Sequence, residues 1–172
     1  MADLLVRLYD LPPLAPAVDA LAATGVRIRR ALAGERPAVA AFAGALGSQA
    51  WAVEVEAAFA RVPVACFVAT EQGGGGAPAA GGYARATEPL LGFACYEATC
   101  RNFFGPELVH PERRQRGIGR ALLLAALHAM RAEGYAYGII GWASSVDFYR
   151  RAVGAIEIAG SEPGIYPPPL AP

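Results

Sequence analysis

The sequence predicts one α/β domain of the α+β kind, a mixed and mostly antiparallel central sheet flanked by helices on both faces. Three observations carry this expectation. Short apolar runs with strand character recur between glycine and proline breaks, as in "GVRIRRAL", "VACFVATE" and "LLGFACYEAT". Alanine-rich stretches after Pro37 and a long apolar stretch after Gly119 have the length and composition of helices. Towards the C-terminus the patterns alternate as strand, helix, strand, helix, which layers helices on a sheet. With 172 residues the chain lies within the roughly 50 to 250 of ordinary domains, and the expected domain is 1–172.

Taken in order, "LLVRLYDL" reads as a first strand closed by Pro12, Pro13 and Pro16. "GVRIRRAL" is a second, with Val26, Ile28 and Arg30 on one face by the two-residue period. "AVAAFAG" and "QAWAVEVEAAFARV" are two helices separated at Gly47 and Ser48. A flexible glycine-rich loop at about 72–87 reads as the tip of a hairpin between "VACFVATE" and "LLGFACYEAT". A strand at "FFGPELV" precedes a helix from about Gly117 to Glu133, and "YAYGIIGWA" is apolar on both faces like a central strand. "SSVDFYRRAVGA" is a short amphipathic helix, and "IEIAG" is a last strand before a proline-rich tail at about 163–172.

Composition narrows the function. The chain is 55% hydrophobic and 17% charged, which suits a packed core rather than disorder. Fifteen basic and fifteen acidic residues cancel, so neither nucleic acid nor an anionic membrane is expected as the main partner. The opening "MADLLVRLYDLPPLAP" is broken by Asp3, Asp10 and prolines, unlike a secretory signal, and no apolar run reaches the roughly 18 residues of a membrane span. Cys66, Cys95 and Cys100 lack a C-x-x-C spacing and read as buried thiols in a reducing cytoplasm, with no metal site expected.

The chemistry concentrates in "VHPERRQRGIGRALLLAALHAM", residues 109–130. Leu122, Leu123, Leu124, Ala125, Ala126 and Leu127 are too consecutive for a helix with one buried stripe, so this helix is expected to be largely covered. A basic cluster stands at its start, the end that already carries partial positive charge and unpaired amides. A bound anion is the natural missing partner. The loop lacks the lysine and hydroxyl residue of a nucleotide-binding P-loop, and the third glycine of a dinucleotide fingerprint is replaced by Leu122.

"RQRGIG", from Arg114 to Gly119, resembles the Arg/Gln-x-x-Gly-x-Gly/Ala signature of the GNAT superfamily of N-acetyltransferases. The preceding "VHPE" and the long apolar helix that follows are similar to that family's context, and the resemblance runs from about Leu90 to Ala155. It implies a GNAT-like fold and acetyl-coenzyme A as co-substrate, its pyrophosphate cradled by the amides of Gln115, Arg116, Gly117, Ile118, Gly119 and Arg120, with charge from Arg114 and Arg116. Glycine at Gly117 and Gly119 lets the backbone approach that group. For Arg113, Arg120 and Arg131 a solvated surface role fits as well. "FYRRAVGA" resembles the family's F-Y-x-x-x-G-F element, which implies that Tyr149 protonates the departing thiolate, a role that suits a phenol of pKa about 10. The resemblance further implies that the amides of Leu108 and Val109 pair with the pantetheine arm as an added strand. Two positions depart from the pattern. Ala155 replaces the usual phenylalanine. Trp142 stands where many members carry an asparagine that positions the cofactor arm, which implies an indole along the pantetheine tunnel.

The expected reaction is acetyl transfer to a primary amine, of a small molecule or a protein, by direct attack in a ternary complex. The amine must lose a proton, and a carboxylate near the central strands is the usual device. Glu107 is the first candidate, because it precedes the loop and shares a face with Val109; Glu97 is second and Glu54 third. Trp51, Phe59 and Glu54 could line an acceptor pocket, although they also fit an ordinary amphipathic helix, the preferred reading. A catalytically silent acyl-coenzyme A sensor and a polyanion-binding module remain as alternatives. A homodimer is also open, since similar proteins commonly pair and "GIYPPPLAP" is apolar.

Overall fold

Each half of the chain contributes strands to one sheet. The computed structural model describes residues 1–72 and 88–166. The expected flexible loop beyond Gln72, and the tail beyond Tyr166, lie outside the described residues. Strands β1 (Leu4–Arg7), β2 (Val26–Arg30), β3 (Cys66–Glu71), β4 (Leu90–Tyr96), β5 (Phe103–Val109), β6 (Tyr137–Ile140) and β7 (Ile156–Glu157) form one sheet in the order β2-β3-β4-β5-β6-β1-β7. All neighbours are antiparallel except β5 and β6, which run parallel. The expected mixed, mostly antiparallel sheet is therefore present.

Helices α2 (Arg36–Leu46) and α3 (Gln49–Phe59) lie on one face and α4 (Ile118–Ala132) on the other. The alternation of β4 separates the two layers. Phe93 meets Phe42 of α2 edge-on at 6.2 Å, whereas a Cβ on the neighbouring Gly92 would lie 3.3 Å from Leu122 of α4. Nine of the fifteen residues of α4 are buried, as a covered helix requires. Ser48 caps α3 by accepting from the Trp51 amide, so the Gly47–Ser48 break is a helix start as well as a stop. The last helix, α5 (Val146–Val153), ends at Gly154 with φ +64, a left-handed cap that glycine adopts without cost.

Three features go beyond the sequence reading or depart from it. A helix α1 (Ala15–Ala22) fills the segment between the first two strands. Pro16, one of the prolines that closed the strand, lies in its first turn, where a missing amide hydrogen does no harm. Strand β1 does not neighbour β2; it crosses to the far side and lies between β6 and β7, with Leu4 opposite Ile140 and Glu157. The run "YAYGIIGWA" yields only four strand residues, because the chain turns away after Ile140 and Trp142 takes φ +48.

Candidate functional site

The site arises where two parallel strands part. β5 and β6 pair only through Phe103 with Ile139 and Phe104 with Ile140. From Gly105 onward β5 has β4 on one side and no strand on the other, while the chain after β6 turns outward through Gly141 to Ser144. The notch between them opens into a cavity of about 250 Å³. Gly105, Pro106 and Glu107 form one wall, and Gly141, Trp142, Ala143 and Ser144 another; Tyr149 of α5 and Trp51 and Glu54 of α3 also line it.

The open edge of β5 presents backbone groups on alternate residues. His110 donates to the Leu91 carbonyl at 2.8 Å, and Gly92 stands opposite Val109. In that register Leu108 exchanges its hydrogen bonds with Phe93, while the amides of Glu107 and Val109 turn to the open side. Of the two amides expected to face the notch, the register offers Val109 and commits Leu108 to β4. The Val109 carbonyl accepts from Arg114 Nε at 3.2 Å, which ties the loop back to the strand.

The loop that follows leaves a run of donors free. Gln115 (φ +61) and Gly117 (φ +84) take left-handed conformations, and the first backbone bond of α4 is from Ala121 to the Gly117 carbonyl at 3.1 Å. Among the described residues no acceptor meets the amides of Gln115, Arg116, Gly117, Ile118, Gly119 or Arg120, and no side chain caps the helix. Arg116 and Arg120 are exposed there without an ion pair among the described residues. Arg113 instead grips Glu71 through two hydrogen bonds of 3.0 and 2.9 Å, a structural role. The two glycines differ in purpose. A Cβ on Gly117 would meet nothing, so that glycine serves its φ, whereas one on Gly119 would lie 3.3 Å from Glu107 Oε1 and 3.6 Å from Val109 Cγ2. Gly119 thus lets α4 settle onto β5 and the Glu107 carboxyl.

Glu107 and Tyr149 meet inside the notch. Glu107 Oε1 is buried and without a hydrogen-bond partner among the described residues. Burial pushes the Glu107 carboxyl up to about 8, against a smaller opposing pull from the nearby Tyr149 hydroxyl. Burial also raises the Tyr149 phenol far above its ordinary value, with the neighbouring Glu107 charge acting in the same direction. The Tyr149 ring is held edge-on against Phe104 at 6.4 Å and Phe148 at 5.0 Å.

The other two candidate carboxylates separate clearly. Glu97 is buried with φ +53, pairs with Arg61 and accepts from the Tyr135 hydroxyl and the Asn102 amide. It is a structural brace at the β4–β5 turn and does not reach the notch. Glu54 lines the cavity and accepts from the Thr99 hydroxyl at 2.5 Å. Trp51 lines it too, while Phe59 is core. Trp142 is at the rim, its indole nitrogen donating to the Pro163 carbonyl at 2.8 Å and its ring 4.8 Å from that of Tyr166. Thr99 and Tyr166 were not legible in advance: one sits in a short turn and the other among prolines, where no periodicity marks a face.

With this geometry in hand, the fold is that of the GNAT-like acetyltransferases. Residues 90–155 match the model of the Acetyltransferase (GNAT) family, a segment that runs from β4 to α5 and holds the loop, Glu107 and Tyr149. That segment is similar to a family whose general activity is acetyl transfer. No curated protein matches the chain. Among solved structures, 91% of the chain superposes on a GCN5-related glucosamine N-acetyltransferase region of a fungal multi-domain GH3 β-N-acetylglucosaminidase, with TM-score 0.67 and 15% identity. It superposes over the same share on a GCN5-related N-acetyltransferase from Sphaerobacter thermophilus (TM-score 0.57, 18% identity) and on a Drosophila protein (0.54, 12%). The chain spans 19% of the fungal chain and 48% and 47% of the other two, so these likenesses concern the fold. Among the described residues no helix is long and apolar enough to cross a membrane.

Proposed function

We propose that this chain forms one acetyltransferase domain that moves an acetyl group from acetyl-coenzyme A to a primary amine by direct attack in a ternary complex. The observation that carries the reading is the meeting of a buried carboxyl oxygen and a phenol in a notch beside six amides, the oxygen and the amides alike without a partner among the described residues. The residues present fit the co-substrate. The amides of Gln115 to Arg120, with Arg116 and Arg120 above them, suit a pyrophosphate, and the Val109 amide suits an amide of the pantetheine arm. Arg114 keeps charge at the loop while its Nε holds Val109. Trp142 forms the notch wall at the rim.

The proton balance closes within the pair. As the neutral amine attacks the thioester carbonyl, its nitrogen loses a proton to the Glu107 carboxylate. The carbon–sulfur bond breaks, and the Tyr149 hydroxyl gives its proton to the departing thiolate. Glu107 then returns the proton to the neighbouring Tyr149 phenolate, which restores both groups. The free cysteines fit a reducing, cytoplasmic setting.

The test is a thermal-shift titration with acetyl-coenzyme A on the parent protein and on Arg116→Glu, followed by turnover on an amine panel. Ligand at 100 times its dissociation constant stabilises by about 2.7 kcal/mol, a readily visible shift. Arg116→Glu changes an exposed side chain, so the variant folds, and it is expected to bind at least about tenfold more weakly. No shift in the parent overturns the reading; a shift without turnover on any amine replaces it with a silent acyl-coenzyme A sensor.

A further inference from the structure

We infer that the acceptor is a small diamine, whose reacting amine lies at Glu107 while its second, charged amine is held by Glu54. The inference rests on the acetyltransferase reading above and deepens it. Among the described residues the cavity is lined by two carboxylates and no basic side chain; Met1 also lines it, but its α-ammonium is paired with Glu162. Glu107 has one oxygen buried and unpartnered, an uncompensated polar group that calls for a donor. Glu54, from the other layer of the fold, has one oxygen engaged by the Thr99 hydroxyl at 2.5 Å and no ion pair among the described residues. Thr99 fixes the carboxylate without cancelling its charge.

Aromatic walls complete the Glu54 end. Trp51 stands one turn before Glu54 on the same face of α3, and Trp142 and Tyr166, stacked at 4.8 Å, line the same cavity. An ammonium between aromatic faces and a carboxylate gains from both. The two carboxylates differ in the way such a ligand needs. At Glu107 a raised proton affinity favours taking a proton from an amine, whereas Glu54, fixed by Thr99, offers its second carboxylate oxygen to an ammonium. The volume of about 250 Å³ has room for a short, slender molecule.

The sequence supplies its own reporter, because its two tryptophans are Trp51 and Trp142 and both line the cavity. We would titrate intrinsic fluorescence with α,ω-diaminoalkanes of increasing length, with n-butylamine and with glucosamine, on the parent and on Glu54→Gln, which keeps the shape and an acceptor for Thr99. The expected result is saturable quenching with an optimum length for the diamines. Affinity should exceed that of n-butylamine by about tenfold or more, and this advantage should vanish in Glu54→Gln. In steady-state acetyl transfer the same variant should raise KM for the diamine with kcat little changed. Equal affinity for the monoamine, or a preference for glucosamine that Glu54→Gln leaves intact, overturns the diamine assignment. If acetyl-coenzyme A raises the melting temperature and monoamines turn over in that case, the acetyltransferase reading stands without it. Diamine binding to a protein that acetyl-coenzyme A does not stabilise would overturn the transferase reading instead.

Discussion

Glu107 sets the sign of two pH effects. Its folded-state pKa of about 8 lies above the ordinary 4.5 of a free carboxyl. Between those values the folded state keeps a proton that the unfolded state has lost, so stability falls as pH rises through that window and is level above it. Glu107→Gln removes this slope. The variant should match the parent near the lower end of the window and be more stable above the upper end, by no more than about 5 kcal/mol, as read from urea melts at both ends. Activity should move the other way. In the parent kcat/KM rises with pH through about 8 as the carboxylate forms, and the variant should lose that limb together with about 10²–10⁴ in rate. A glutamate that only braces the fold, as Glu97 does through Arg61 and Tyr135, would lose stability on the same change. The distinction was invisible in the sequence. Both glutamates interrupt apolar runs, and only the partners, Arg61 after α3 and Tyr135 before β6, make Glu97 a brace, while Glu107 Oε1 has none among the described residues.

The loop and its helix were the most legible element, and their internal division of labour the least. The arginines and glycines of "RQRGIG" marked a helix start with free amides, and six of them have no partner among the described residues. The spacing showed two glycines but not that they face different ways. Gly117 holds φ +84, where alanine costs about 1–2 kcal/mol, and its missing Cβ faces open space. Gly119 faces Glu107 and Val109 across the α4–β5 contact. The two alanine variants should therefore fail differently. Gly117→Ala is expected to loosen the loop and raise the Kd for acetyl-coenzyme A. Gly119→Ala places a methyl 3.3 Å from Glu107 Oε1, so it should lower kcat and shift the ascending pH limb while changing that Kd little. Calorimetric titration beside a pH–rate profile separates these outcomes. The same cause explains the amides of β5: alternation shows that Leu108 and Val109 differ, but only the partner strand decides which of them faces the notch.

At the scale of the molecule, the least readable feature was where β1 goes. An alternating strand announces its two faces, but its edges are the same backbone groups in every strand, so nothing in "LLVRLYDL" names a neighbour. The structure carries β1 past five strands to lie between β6 and β7, and Asp3 at its start stitches both ends of the chain to the notch. Its amide donates to Ser161 Oγ at 2.8 Å, its carbonyl accepts from Ile158, and its carboxylate accepts from the Trp142 amide at 3.0 Å. This places the N-terminal strand under the wall that carries Trp142 and makes its docking a contact between residues at opposite ends of the sequence. Closing so long a loop is an entropic cost met only once β6 is in place, so β1 should dock after the folding transition state. Leu4, fully buried opposite Ile140, tests this. Leu4→Ala should lower stability by about 2–5 kcal/mol, with nearly all of the change in a faster unfolding rate. In stopped-flow chevrons the refolding arm should stay in place and the unfolding arm rise. A slowed refolding arm would mean that β1 joins the nucleus, and that the sheet assembles around its ends rather than outward from the local β3–β4–β5 meander.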